Sequence, residues 1–270
     1  MKYSLFFYLL TSTLLITSCN NSQQKPTEQL SPSATSPIVG GVVVAPNDLE
    51  ALSTVTLYRS KEESFCSGVL IHKRFILTAA HCVEENNNTA FYVGFGLKVA
   101  GLHPNANVKF IRPIAAKTHP NYAARRIADI AVLLLPEDAP DDFQPVEMST
   151  LKSDVKLGQV ISIAGYGKTS DEPVMSDQLR KTTVEINNQL DRLETHYFFK
   201  FTNIGLGACH GDSGGPAYIK DGNKLKLLGI IYAGDRSGSC FTSDGYVLSV
   251  PHMHDWITAT MKKISDKYGL

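Results

Sequence analysis

The stretch "GACHGDSGGPAY", residues 207–218, sets one serine, Ser213, behind an aspartate and ahead of two glycines and a proline. A serine hydroxyl is a poor nucleophile near neutral pH; it needs a base to accept its proton and donors to hold the oxyanion it creates. Glycines around it let the backbone turn sharply and approach a substrate, aiming successive N–H groups at one point. Gly211 and Ser213 are the donors such a turn offers. A Gly-Asp-Ser-Gly turn by itself is often only a turn, but "GDSGGP" is longer than a turn requires.

A base and its partner can be sought elsewhere in the chain. Of eight histidines, His81 in "ILTAAHC" closes an apolar run among small residues, where an imidazole can reach out from the edge of a barrel. Asp129 opens "DIAVLLL" and so stands at the mouth of a buried strand. Burial makes such a carboxylate hold one partner firmly. Each has an ordinary reading too: a satisfied core or surface histidine, and an aspartate capping a strand.

Around these residues the chain is a series of short apolar, β-branched runs separated by Gly, Pro and Asn. Examples are "STVTLYR", "SGVLIHKRFILTAA", "AFYVGFGL", "GQVISIAGYG", "HYFFKFT" and "KLKLLGIIYAG". Many short strands at a spacing of roughly ten residues predict an all-β barrel or sandwich rather than alternating βα units. Only the end differs. In "MHDWITATMKKISDKYG", Trp256, Ile257, Met261 and Ile264 recur at helical spacing with lysines toward the end, which predicts a C-terminal helix over about 251–268.

Composition bounds the function. A chain of 270 residues with 43% hydrophobic side chains can bury a substantial core. Lys plus Arg and Asp plus Glu both number 26, so no charge excess points to nucleic acid or an acidic surface. Residues 1–19, "MKYSLFFYLLTSTLLITSC", carry one basic residue and an apolar run too short to span a bilayer comfortably, the pattern of a secretory signal. "ITSC" also resembles the lipobox of bacterial lipoproteins, which would put a lipid on Cys19; the alternative is an ordinary signal cut just after Cys19. Residues 20–37 are rich in Ser, Pro, Gln and Thr without aromatics, and read as a flexible tether or propeptide. Setting Cys19 aside leaves Cys66, Cys82, Cys209 and Cys240, which an exported chain would hold as two disulfides in one of three pairings. A zinc site is the rival reading, but no close cysteine pair has metal-ligand spacing.

"TAAHC", "DIAVLLL" and "GDSGGP", in that order, resemble the trypsin and chymotrypsin family of serine endopeptidases, and the likeness runs from "IVGG" at 38–41 to "DWI" at 255–257. "HPNY" at 119–122 resembles the segment leading to the family's catalytic aspartate, and "AGYGKT" its "GWG" turn with Tyr166 in place of tryptophan. The resemblance implies two six-stranded antiparallel β-barrels, about 38–145 and 146–250, with the active site between them and no cofactor or metal. It implies Ser213 as nucleophile, His81 as general base and then acid, Asp129 as the group that orients the imidazolium, and an oxyanion hole from the Gly211 and Ser213 N–H groups. It also implies the disulfides Cys66–Cys82 and Cys209–Cys240.

In zymogens of that family, cleavage before "IVGG" frees an amino group that pairs with the aspartate preceding the serine, here Ile38 with Asp212. The residue before Ile38 is Pro37 rather than Lys or Arg, so a prolyl-specific or otherwise different activating protease, or cutting within "SPSATSP" followed by trimming, is implied. A lipid-anchored chain cut there also leaves its membrane anchor. Gly207 falls at the floor of the implied substrate pocket, with Gly234 and Gly245 on its walls. A roomy pocket without charge suggests a large apolar residue before the scissile bond. His210, Asp235, Arg236 or Asp244 could change the charge there, and His210 could favour an acidic residue. The expected partners are a protein or peptide substrate, an activating protease and, through Cys19 alone, a membrane; nucleic acid is not expected. The competing reading is a catalytically silent binding or adhesion module. Silent relatives usually lack a member of the triad, whereas this chain has all three.

Overall fold

The computed structural model describes residue 38 and residues 40–59, 63–84, 90–98, 108–125, 127–171, 175–192, 196–202, 205–234, 239–240, 242 and 244–270. The signal at 1–19 with Cys19, the tether at 20–37, Asp235 and Arg236 lie outside them.

The short apolar runs become strands. Along the first half come β1 (Val42–Val43), β2 (Thr54–Arg59), β3 (Glu63–His72), β4 (Phe75–Thr78), β5 (Tyr92–Phe95), β6 (Lys109–Ile111), β7 (Ala115–Thr118) and β8 (Ala131–Leu134). The second half carries β9 (Glu147–Met148), β10 (Val160–Gly165), β11 (Arg180–Glu185), β12 (Asn188–Arg192), β13 (His196–Thr202), β14 (Pro216–Asp221), β15 (Lys224–Gly234) and β16 (Asp244–Ser249). Among helices are α1 (Ala80–Glu84), α2 (Pro120–Arg125) and α3 (Val250–Tyr268). The strands form two curled antiparallel half-barrels with α3 as the C-terminal helix, the class expected.

One sheet runs β6-β5-β2-β3-β4-β8-β7; the other runs β1-β11-β10-β14-β15-β16-β13-β12, with β9 lying parallel to β15. The described strands therefore number seven and nine, not six and six. β1 also departs from the expected division. It belongs by position to the first barrel, yet it pairs with Lys181 and Arg180 of β11 in the second sheet. Its side chains are exposed and its place is set by main-chain bonds, including Val44 N–H to Leu179 O at 3.0 Å, so hydrophobic pattern alone says nothing of it.

Three clusters fill the interior. Leu57, Leu70, Ile76, Val93 and Leu133 line the first half-barrel, and Ile38, Ile161, Ile163, Phe199 and Val247 line the second. The third joins Val69, Leu77 and Val132 to Tyr166, Tyr218 and Leu248, and then to Met253, Ile257 and Ile264 of α3. β8 shows why "DIAVLLL" reads as one continuous apolar run. Ala131 and Leu133 face the first core while Val132 and Leu134 face the joining cluster, so both faces are buried. α3 buries Val250, Met253, Ile257, Thr260 and Ile264, a stripe at three- and four-residue intervals, and ends at Gly269 in the left-handed conformation.

Candidate active site

The register of two strands assembles the first half of the site. β4 pairs antiparallel with β8, and its last residue Thr78 lies opposite Ala131. The chain beyond Thr78 enters α1 with His81, and the chain before Ala131 carries Asp129, so the two meet at one sheet edge. Asp129 is buried. Its Oδ1 accepts the His81 backbone N–H at 2.8 Å, and its Oδ2 accepts from Nδ1 at 2.6 Å. One carboxylate thus fixes both the ring and the backbone of the histidine, and donation from Nδ1 leaves Nε2 as the basic nitrogen. Ala128, just before, has φ 55, a left-handed conformation that costs a non-glycine residue about 1–2 kcal/mol. That strain sits at the residue that aims the carboxylate.

Residues 209–215 form a tight turn: Asp212 N–H donates to Cys209 O at 3.0 Å and Gly215 N–H to Asp212 O at 2.9 Å. β3 of the other sheet clamps it. Ser67 N–H donates to Ser213 O at 2.9 Å, and its hydroxyl donates to Gly211 O at 2.9 Å while accepting Tyr166 N–H at 3.0 Å. The approach is so close that a Cβ on Gly214 would stand 2.1 Å from Thr78 Oγ1. Lys168 N–H donates to His210 O at 2.7 Å. Because carbonyl and N–H point oppositely across a trans peptide, this bond turns the Gly211 N–H away from Lys168. Gly211 takes φ 98, open in practice only to glycine.

The four cysteines are paired as Cys66–Cys82 and Cys209–Cys240, which leaves no thiolate among them for a metal. The first bridge joins Ser67's neighbour to His81's neighbour. His81 Nε2 lies 3.5 Å from Cys82 Sγ, which is 3.8 Å from Ser213 O. The Ser213 hydroxyl makes no hydrogen bond with a described residue.

Asp212 is completely buried. It accepts N–H bonds from Gly167 and Cys209, both at 2.8 Å, and no cation among the described residues faces it. Burial pushes its carboxyl up to about 7, against the pull of those two bonds. Ile38 is also fully buried, inside the second core, and its backbone has φ 39. For a β-branched residue that is a genuine outlier.

At the expected pocket, Gly207 is buried and Gly234 pairs with Gly245. Asp244 turns elsewhere, accepting from Lys200 Nζ at 2.8 Å and Thr202 Oγ1 at 2.9 Å. His210 is exposed, as a rim residue would be. Tyr232 packs on Phe198 with ring centroids 5.0 Å apart. Sequence reasoning missed Ser67 and Lys168; each acts across a long sequence interval through hydrogen bonds to the main chain, and no local motif marks it.

The profile described as Trypsin matches residues 38–257. Granzyme H of Homo sapiens is 31% identical over 257 residues, covering 87% of this chain and 96% of that protein. Brachyurin of Leptuca pugilator is 32% identical over 191 residues, covering 66% of this chain and 80% of that protein. Human heparin binding protein superposes with a TM-score of 0.69 at 20% identity, covering 83% of this chain and 97% of that one, a likeness of fold.

Proposed function

The chain belongs to the trypsin family of serine endopeptidases, and from that premise we propose that His81, Asp129 and Ser213 hydrolyse peptide bonds through an acyl-enzyme. Ser213 Oγ attacks the scissile carbonyl carbon while His81 Nε2 takes its proton. The Gly211 and Ser213 N–H groups hold the oxyanion. The imidazolium, steadied by Asp129, then protonates the departing amine, and water repeats the sequence on the ester. The observation that carries this reading is the pair of hydrogen bonds that Asp129 accepts from the ring and the backbone of His81. The bond between Ser213 and the imidazole is made when substrate arrives, since catalytic hydrogen bonds are often loose in empty sites.

Activation follows cleavage of the Pro37–Ile38 bond by a protease that accepts proline. Two observations favour it. Asp212 is a buried carboxylate without a cation among the described residues, and a new amino group would supply one. The φ of Ile38 exists only while Pro37 is attached. Its strained value, worth on the order of 1–3 kcal/mol, disappears with the bond. The two disulfides favour an exported protein. Among the described residues no helix is long and apolar enough to cross a membrane. On this account the anchor is a lipid on Cys19, lost on cleavage at Ile38. Gly207 brings no charge to the implied substrate pocket, which supports an apolar residue before the scissile bond.

Labelling with a fluorophosphonate, read by intact mass, tests the proposal. Label on a species beginning at Ile38, abolished by Ser213→Ala, is the expected result. An Ile38 species that takes no label overturns the catalytic assignment. Label on the uncut chain overturns the activation account.

A further inference from the structure

The elements that would wall a substrate slot beside Ser213 can be traced through main-chain bonds. Gly214 N–H donates to Ile231 O at 2.7 Å and Ile231 N–H to Gly215 O at 2.8 Å, so β15 runs directly alongside the serine turn. Further along β15, Gly234 pairs with Gly245 of β16. The Cys209–Cys240 bridge ties the connection between these strands to the segment bearing Gly207. A substrate slot at this place would be bounded by residues 207–212 on one side and by the ends of β15 and β16 on the other, with no side chain at Gly207, Gly234 or Gly245.

Phe201 enters from a third direction. β13 pairs with β16, and Phe201 lies opposite Gly245, which puts its side chain on the face a Gly245 side chain would share. Its ring atoms Cζ and Cε2 lie 2.1 and 2.3 Å from the point a Cβ on Gly245 would occupy. The ring is fully buried and clusters with Ala208, Ile231 and Val247. The glycine at 245 is thus required by the phenyl ring above it, and the space it vacates is filled.

We infer that Phe201 is a specificity-determining residue, its ring closing the deep end of the slot so that the protease accepts a small apolar side chain before the scissile bond and rejects an aromatic one. The inference rests on Ser213 being the nucleophile. An aromatic substrate side chain would have to displace a packed ring, and a close-packed interior resists such overfilling.

The test is hydrolysis of a peptide series that differs only at that residue, carrying alanine, valine, leucine or phenylalanine, with the active protein titrated by fluorophosphonate. The expected kcat/KM for the alanine or valine peptide exceeds that for the phenylalanine peptide by about tenfold or more, since even one methylene is worth ~10- to 200-fold in such a pocket. Phe201→Ala should move the phenylalanine-to-alanine ratio upward by about 100-fold. Phe201→Leu should shift it the same way by less, and serves if the alanine variant does not fold. Wild-type protein that cleaves after phenylalanine as fast as after alanine overturns the inference, as does a labelled Phe201→Leu protein with an unchanged ratio. Failure of the catalytic assignment has a different signature: no label and no cleavage of any peptide.

Discussion

Asp129 and Asp212 are both buried, yet one faces an imidazole and the other only backbone N–H groups among the described residues. Replacing Asp129 by asparagine keeps the shape but no longer fixes the tautomer of His81. Turnover should fall by about 10⁴-fold, as the same change does in this family. Steady-state kinetics with KM nearly unchanged is the outcome that agrees. Asp212 governs a different observable. Its carboxyl is raised from 3.8 to about 7 in the uncut fold, so between those values the folded chain holds a proton that the unfolded chain has released. The uncut protein should therefore lose stability from this group as pH rises from about 4 to 7, by at most ~1.4 kcal/mol per pH unit. Urea midpoints of uncut wild type and Asp212→Asn, compared across that range, isolate the effect. Wild type should decline relative to the variant, and parallel curves would count against the account.

α3 is held by its stripe rather than by its intrinsic tendency to form a helix, and Ile257 is fully buried at the centre of that stripe. Ile257→Ala should cost about 2–5 kcal/mol in a denaturant titration, with little effect on fluorophosphonate labelling of the fraction that remains folded. That helix was legible in the sequence because its apolar residues repeat at a helical period, just as β4 and β8 were legible as dense apolar runs ending at His81 and beginning at Asp129. Ser213 was legible as the candidate nucleophile because such a serine, its oxyanion donors and its sharp turn fall within one short stretch of sequence. β1 was not, since exposed valines held by main-chain bonds carry no pattern. Phe201 was not either. "HYFFKFT" announces a strand, but only the pairing of β13 with β16 reveals which glycine its ring covers.

At the scale of the molecule, the proposed mechanism requires two half-barrels to keep a base from one and a nucleophile from the other in register. Ser67 is the point of attachment, a buried residue of the first sheet bonded to Gly211, Ser213 and Tyr166 of the second. Ser67→Ala retains the backbone bond to Ser213 and leaves the Tyr166 N–H without its acceptor, at a cost of about 1–3 kcal/mol. Its kcat should fall with KM little changed, which kinetics on a short peptide will reveal. The Cys66–Cys82 bridge completes the attachment. From Ser213 the path crosses one hydrogen bond to Ser67, one peptide link to Cys66, the disulfide to Cys82, and one more link to His81. Mechanically this is a short continuous linkage, so on the proposed roles slow flexing of the half-barrels carries base and nucleophile along together. Removing only this bridge, by Cys66→Ala with Cys82→Ala, should therefore act as an uncoupler: peptide hydrolysis should fade while the two sheets remain folded.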